Sequence, residues 1–417
     1  MRPVLDDEDW REGGFGIYLH WPFCEAKCPY CDFNSFVTAG VNHAKWTAAY
    51  LAEIDRYAAV VPGRVLNSVF FGGGTPSLME PDTVFAVLER IKSHWSPAND
   101  LEITLEANPT SVEARRFEAF AQAGVNRISM GVQALNDHDL QRLGRLHSTR
   151  DARQAFDIAK KNFNRVSFDL MYARQNQTAE DWREELSEAI DMAVDHLSLY
   201  QLTIEPGTVF GARYDRGALR GLPDEDRAAE MYDLTQDICD SAGYSAYEVS
   251  NHAKPGAASR HNLIYWRYGD FIGIGPGAHG RVTIDGRRYA TETVKNPERW
   301  LKSVDQSNSE ISRHVIAQTE QAQEYMLMTM RLSEGLSLSR FTKLAGYPLA
   351  MEAVGSMVDL GMVTLENDRI KATQKGRVVL NAVIANLLPD HEPISPPSGL
   401  MSGSGTDHLA DQNHYTK

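Results

Sequence analysis

His20-Trp21-Pro22-Phe23-Cys24-Glu25-Ala26-Lys27-Cys28-Pro29-Tyr30-Cys31 is the stretch on which the reading of this chain turns. Three of the chain's four cysteines fall within it, spaced CxxxCxxC. Thiolates are soft ligands that suit iron-sulfur clusters or zinc. A cubane [4Fe–4S] cluster normally takes four cysteines, so three leave one iron open to a small chelating molecule. The alternative is a zinc site completed by His20, since zinc accepts mixed nitrogen and sulfur ligands. Structural zinc sites usually pair two short ligand hairpins, and no second pair exists here. Three clustered thiols cannot all pair as disulfides. Cys239 stands alone and reads as a small buried hydrophobe.

Around this stretch, short apolar runs alternate with longer amphipathic ones. Strands are expected at Phe15–Leu19, Ser68–Phe71, Leu101–Leu105, Arg127–Met130, Arg165–Leu170 and His196–Leu202. Helices are expected between them at His43–Val61, Pro81–His94, Val112–Ala123, Asp137–Leu143, Thr149–Lys161 and Ala179–Val194. The helical readings rest on apolar residues three and four apart, such as Trp46, Tyr50, Ile54 and Tyr57. The alternation implies an α/β fold with a mainly parallel sheet, either doubly wound or barrel-like.

Past residue 205 the pattern loosens. Asp224–Ala242 reads as a helix, and Tyr247–Gly280 as a loop-rich stretch. A second unit, 315–388, reads as helices at Thr319–Leu332, Leu338–Leu344 and Pro348–Leu360, a hairpin over Val363–Ile370 and a helix at Lys375–Leu388. Helices followed by a hairpin suggest a small α+β, winged-helix-like domain. Residues 318–388 carry seven Lys/Arg and seven Asp/Glu, which lacks the basic footprint of a nucleic-acid reader. Residues 1–310 would form the main domain. Residues 389–417, rich in Pro, Ser, Gly, Asp and His, read as a disordered tail.

The whole chain of 417 residues is 42% hydrophobic and 24% charged, ordinary for a globular protein. Its net charge of −14 argues against a nucleic-acid partner. The start is acidic and lacks the apolar core of a signal peptide. No apolar run approaches the roughly 20 residues that span a bilayer. Thiols kept for a metal suggest the reducing cytoplasm.

Gly72-Gly73-Gly74-Thr75-Pro76 follows an apolar strand directly, where glycines let a backbone approach a ligand. Glu106, Gln133, Arg145 and Asp169 fall at or near successive strand ends, where ligands of βα sheets collect. An Arg suits a carboxylate, and Asp or Gln suits ribose hydroxyls. With CxxxCxxC, these segments resemble the radical S-adenosylmethionine (SAM) superfamily. There the open iron of the cluster binds SAM, and reductive cleavage gives a 5′-deoxyadenosyl radical. YLHWPFC, GGGTPS, LEANP, GVQ and FDLM are similar to the oxygen-independent coproporphyrinogen III oxidases (HemN) and their relatives, over most of 14–385. The resemblance implies a partial (β/α)6 barrel with a HemN-type C-terminal domain. It implies a [4Fe–4S] cluster on Cys24, Cys28 and Cys31, and SAM contacts from Tyr18, Tyr30, Gly73, Gly74, Thr75, Glu106, Gln133, Arg145 and Asp169.

Two departures point to a sister family, the haem chaperones (HemW). The oxidases extend the motif to CxxxCxxCxC, whereas position 33 here is Phe33, and their lead before the cluster is longer. His261-Asn262-Leu263-Ile264-Tyr265-Trp266 fits the HNxxYW motif of that sister family. Imidazole ligates haem iron, and aromatic rings pack on a macrocycle. That resemblance implies haem as a third cofactor, with His261 the candidate ligand and His252 and His279 as nearby alternatives. It also implies acceptor haemoproteins, in the cytosol or at a membrane, and an electron donor for the cluster. The competing readings are coproporphyrinogen decarboxylation and, behind it, RNA modification. Gly273-Ile274-Gly275-Pro276-Gly277-Ala278-His279 lacks the strand-to-helix context of a dinucleotide site.

Overall fold

Polar and apolar residues alternate along the central strands, and that alternation gives the sheet two different faces. The computed structural model describes residues 8–38 and 40–388; the tail expected over 389–417 lies outside the described residues. Six strands, β1 (Phe15–Trp21), β2 (Val65–Gly73), β3 (Ser96–Ala107), β4 (Arg127–Gln133), β5 (Arg165–Tyr172) and β6 (His196–Gln201), lie side by side in chain order. All run parallel. A doubly wound sheet reverses its strand order at a switch point. β1 to β6 show no reversal, and theirs is the strand order of a barrel segment.

On β4, Ile128, Met130 and Val132 point into the main apolar core, while Arg127, Ser129, Gly131 and Gln133 line a chamber. β5 repeats the pattern, with Val166, Phe168 and Leu170 against Asp169 and Met171. The helices cover the apolar face. His43–Val60 is capped by the Asn42 side chain and buries Trp46, Tyr50, Ile54 and Tyr57 along one stripe. Thr149–Asn162 and Ala179–Met192 each begin with a capping box, Ser148 with Asp151 and Thr178 with Asp181. Each reciprocal pair satisfies two orphan backbone donors and fixes where its helix starts.

Three regions depart from expectation. Val112–Ala123 is two short helices, Ser111–Ala114 and Phe117–Gln122. Glu113 is tied to Ser77 and to the Asn108 backbone N–H, and this anchoring accompanies the break before Phe117. The stretch read as loop-rich holds β8 (Asn251–Ala253), which pairs with β7 (Ser245–Ala246), then helix Arg260–Trp266 and β9 (Asp270–Ile274). These elements are too short to show a period. β9 joins the free edge of β1 in parallel. Beyond it, β10 (His279–Ile284), β11 (Arg287–Thr293) and β12 (Glu310–Val315) continue the sheet antiparallel. Their alternation is masked by buried charges: Arg281 pairs with Glu324 at 2.7 Å, and Arg288 lies over the Tyr268 ring at 4.0 Å.

The C-terminal segment has its own apolar cluster, including Tyr325, Met326, Phe341, Val354, Ile370 and Ile384. Its hairpin, Val363–Glu366 and Arg369–Ala372, forms a three-stranded sheet with Leu336–Ser337. The helix expected at Lys375–Leu388 is split at Val379 into Gln374–Val378 and Leu380–Leu387. Helix Arg260–Trp266 touches this unit: the Arg331 guanidinium sits 4.9 Å from the Trp266 ring centroid.

An aromatic block ties helix Pro297–Asp305 to the barrel. Trp46 and Trp300 stack at 5.3 Å with 8° between planes, and Tyr50 lies 5.5 Å from Trp300. Trp300 is fully buried. We expect Trp300→Ala to cost about 3–5 kcal/mol in urea unfolding. A loss below about 1 kcal/mol would mean that the site collapses around the missing ring.

Candidate functional site

At the carboxyl ends of β1 to β6 the cysteine loop closes over the chamber. Cys24 ends a two-residue strand, Phe23–Cys24, paired with Phe36–Val37. Asn34 pins the loop, donating from Nδ2 to the carbonyls of Pro276 and Lys295, both at 2.9 Å. Its own carbonyl lies 3.0 Å from His20 Nε2, and His20 Nδ1 lies 3.0 Å from the Tyr18 hydroxyl. Burial pushes His20 down to about 4, so it is neutral. A neutral imidazole has one donor and one acceptor, and both are used. No lone pair of His20 remains for zinc, which removes the fourth ligand of the zinc alternative.

Cys24, Cys28 and Cys31 are half-buried free thiols lining one chamber, and Cys239 is buried elsewhere. Burial raises Cys24, and raises Cys31 to about 11, so without a metal both thiols stay protonated. Arg145 donates to Cys28 Sγ at 3.2 Å, to Asn108 Oδ1 at 2.5 Å and to the Gly131 carbonyl at 2.7 Å. A guanidinium beside the thiol compensates negative charge on sulfur. Among the described residues no fourth cysteine joins these three thiols, a set that fits a [4Fe–4S] cluster with one open iron.

The glycine segment also has a packing reason. Gly73 has φ 110°, and a Cβ there would lie 2.6 Å from the His20 ring; at Gly74 it would lie 2.7 Å from the Phe23 carbonyl oxygen. The glycines therefore let β2 press against the strand that carries Cys24. Gly74 N–H donates to the Trp21 carbonyl and Thr75 N–H to that of Phe23, at 2.6 and 2.8 Å.

Gly73, Gly74, Thr75, Glu106, Gln133, Arg145, Asp169 and Tyr30 all line the chamber with the cysteines. Gln133 takes φ 76°, a left-handed conformation that ends β4 and marks a register break. Glu106 Oε2 accepts from the Gly73 N–H at 3.2 Å. Burial, and then the Asp169 charge, push Glu106 up to about 8; burial pushes Asp169 up to about 6. Burial likewise raises the Tyr30 phenol.

Tyr18 is not on the chamber wall. It stacks on Phe70 at 6.2 Å and on His261 at 6.0 Å. His261 lies against Phe70 at 4.2 Å, is 6% exposed, and is neutral because burial pushes it to about 3. Asn262, its neighbour, lines the chamber instead. His252 is fully buried on β8, and His279 lies on β10, 3.9 Å from Glu292. The three histidines occupy separate places. Residues not singled out from sequence include Asn108, which holds Arg145 and Thr75, and Arg127, His196, Ser198 and Tyr200, which also line the chamber. The period-two polar positions on β4 and β6 were the available signal.

Residues 18–189 match the Radical SAM superfamily, and 316–379 the HemN C-terminal domain. The chain is 38% identical over 401 residues to the mouse "Radical S-adenosyl methionine domain-containing protein 1, mitochondrial", covering 92% of this chain and 90% of that one. It is 37% identical over 384 residues to "Heme chaperone HemW" of Escherichia coli, covering 90% and 98%. The chain belongs to the HemN/HemW family of radical SAM proteins. In fold it is like coproporphyrinogen III oxidase (HemN) from E. coli, with TM-score 0.75 and 20% identity over 90% of each chain. Among the described residues no helix is long and apolar enough to cross a membrane.

The carboxylate pair yields a test. Glu106 binds its proton more tightly in the folded state, so its contribution is intact below the unfolded pKa near 4.3 and lost as pH rises through about 8. Glu106→Gln stays neutral throughout. We expect its Tm relative to the parent, measured anaerobically, to climb from about pH 5 to about pH 8. A difference that is flat over this range contradicts the buried, protonated Glu106.

Proposed function

We propose that this protein is a radical SAM haem chaperone: it holds a [4Fe–4S] cluster and SAM, binds haem and delivers it to acceptor haemoproteins. The observation that carries the reading is the 37% identity to a named haem chaperone across nine-tenths of the chain, together with Phe33 where the oxidases have a cysteine. Cys24, Cys28 and Cys31 would ligate the cluster. When bound, the cluster supplies a one-electron donor beside SAM.

The chain's own residues bind and orient. Arg145 would offset the charge on the Cys28 sulfur and on the SAM carboxylate. Glu106, Gln133 and Asp169 offer acceptors and donors to the amino group and ribose hydroxyls. Gly73, Gly74 and Thr75 form the wall beside them, with the Tyr30 backbone at the lip and Tyr18 packed behind. His261 would reach haem iron by leaving its place against Phe70, with Tyr265 and Trp266 contributing packing. A reducing compartment, cytoplasm or mitochondrion, suits half-buried cluster thiols.

These outcomes are expected under anaerobic conditions. Cys24→Ala should lose acid-labile sulfide while Cys239→Ala keeps it, and Asp169→Asn should weaken SAM binding by about 1.5–3 kcal/mol at full cluster content. Zinc without sulfide in the parent would refute the cluster. Haem should bind and give a Soret band that changes in His261→Ala, and coproporphyrinogen III should not be decarboxylated. Decarboxylation without haem uptake would return the chain to the oxidases.

A further inference from the structure

At the lower edge of the residues assigned to SAM, the chamber has a floor made by β3 to β6. Glu106, Ser129, Ser167 and His196 face one another in register across the four strands. Arg127 stands one step lower, opposite Thr104. It is 2% exposed and donates to Ser167 Oγ at 2.8 Å and to Thr104 Oγ1 at 3.4 Å. Both partners are neutral hydroxyls. Among the described residues the Arg127 guanidinium forms no ion pair, and its Nε–H has no partner. A buried cation without a counter-ion is costly, and where it persists it calls for an explanation.

The second donor follows from a hydrogen-bond chain. Asn262 Nδ2 donates to the Tyr247 hydroxyl oxygen at 3.0 Å. The Tyr247 O–H is then left to donate to His196 Nε2, 2.9 Å away. Burial pushes His196 well below its usual pKa, so the ring is neutral and its one proton sits on Nδ1. Nδ1 is buried and has no partner. Arg127 and His196 both line the chamber, and each keeps a buried N–H without an acceptor.

We propose that Arg127 and His196 form a carboxylate-binding subsite at the chamber floor, which takes one propionate arm of the tetrapyrrole. Two unmet donors, one on a cation that makes no direct ion pair, ask for a single anionic acceptor. A dianionic phosphate is disfavoured because Glu106 stands one row and Asp169 two rows above Arg127. Phe70 and Met171 give the arm's methylenes apolar walls. The carboxylate site stands on this geometry; its assignment to haem rests on the chaperone reading.

The test titrates the anaerobic holoprotein with haem and with metal-free coproporphyrin III, each against its fully esterified form. Arg127→Gln, Arg127→Lys and His196→Phe are compared with the parent, with iron and sulfide content confirming that each variant is folded. We expect both free acids to bind at least about tenfold more tightly than their esters. Arg127→Gln should bring the acids down to the level of the esters and leave the esters unchanged, with Arg127→Lys between. His196→Phe should weaken the acids alone. Equal binding of acid and ester, or loss of both in Arg127→Gln, overturns the subsite and leaves the chaperone reading standing. Coproporphyrin binding that depends on Arg127, without haem binding, keeps the subsite and overturns the chaperone reading. Binding of neither overturns both.

Discussion

The cysteine loop is held by a pair of hydrogen bonds through one neutral histidine, and the site depends on them. His20 donates to the Asn34 carbonyl and accepts from the Tyr18 hydroxyl. Asn34 in turn anchors the loop to the segments flanking β10 and β11. A charged imidazole could not accept from Tyr18. Burial keeps it neutral, and β1 is buried along its whole length. The sheet thus fixes the protonation state that fixes the loop. The same chain of contacts runs from Tyr18 to His261, so the cysteine loop and the HNLIYW helix share a packed neighbour.

Charge in the chamber is arranged in depth. Arg145 stands at the cysteines, Glu106 and Asp169 in the middle, and Arg127 at the floor. The barrel face that carries them is polar because its strands alternate, and the opposite face holds the core. Each interior position is therefore bought with an apolar neighbour on the same strand. The raised carboxyls and lowered histidines share one cause, removal of charged groups from water. Such perturbed groups gather where binding or chemistry needs them.

Much of the fold was legible in the sequence. β1 to β6 and the helices Pro81–His94 and Thr149–Asn162 lie close to where periodicity put them, because long runs carry a clear period. The sheet beyond β9 was not, because Arg281 and Arg288 are buried with partners distant in sequence. The thiols, glycines and strand-end polar residues converge on one chamber as their spacing suggested. The glycines' role in packing against His20 and Phe23 needed coordinates, as did Tyr18's place behind the wall. Arg127 and His196 were passed over because one buried arginine or histidine in a strand reads as a surface residue until its face is known.

The central claim is that three thiols leave one iron of a cubane cluster to SAM. Mössbauer spectroscopy of the iron-enriched, anaerobically reconstituted protein, with and without SAM, tests it most directly. The account requires one iron of the four to change its parameters when SAM is added, and the other three to stay. Four irons that do not respond to SAM, or a cluster that survives intact in Cys28→Ala, would contradict it.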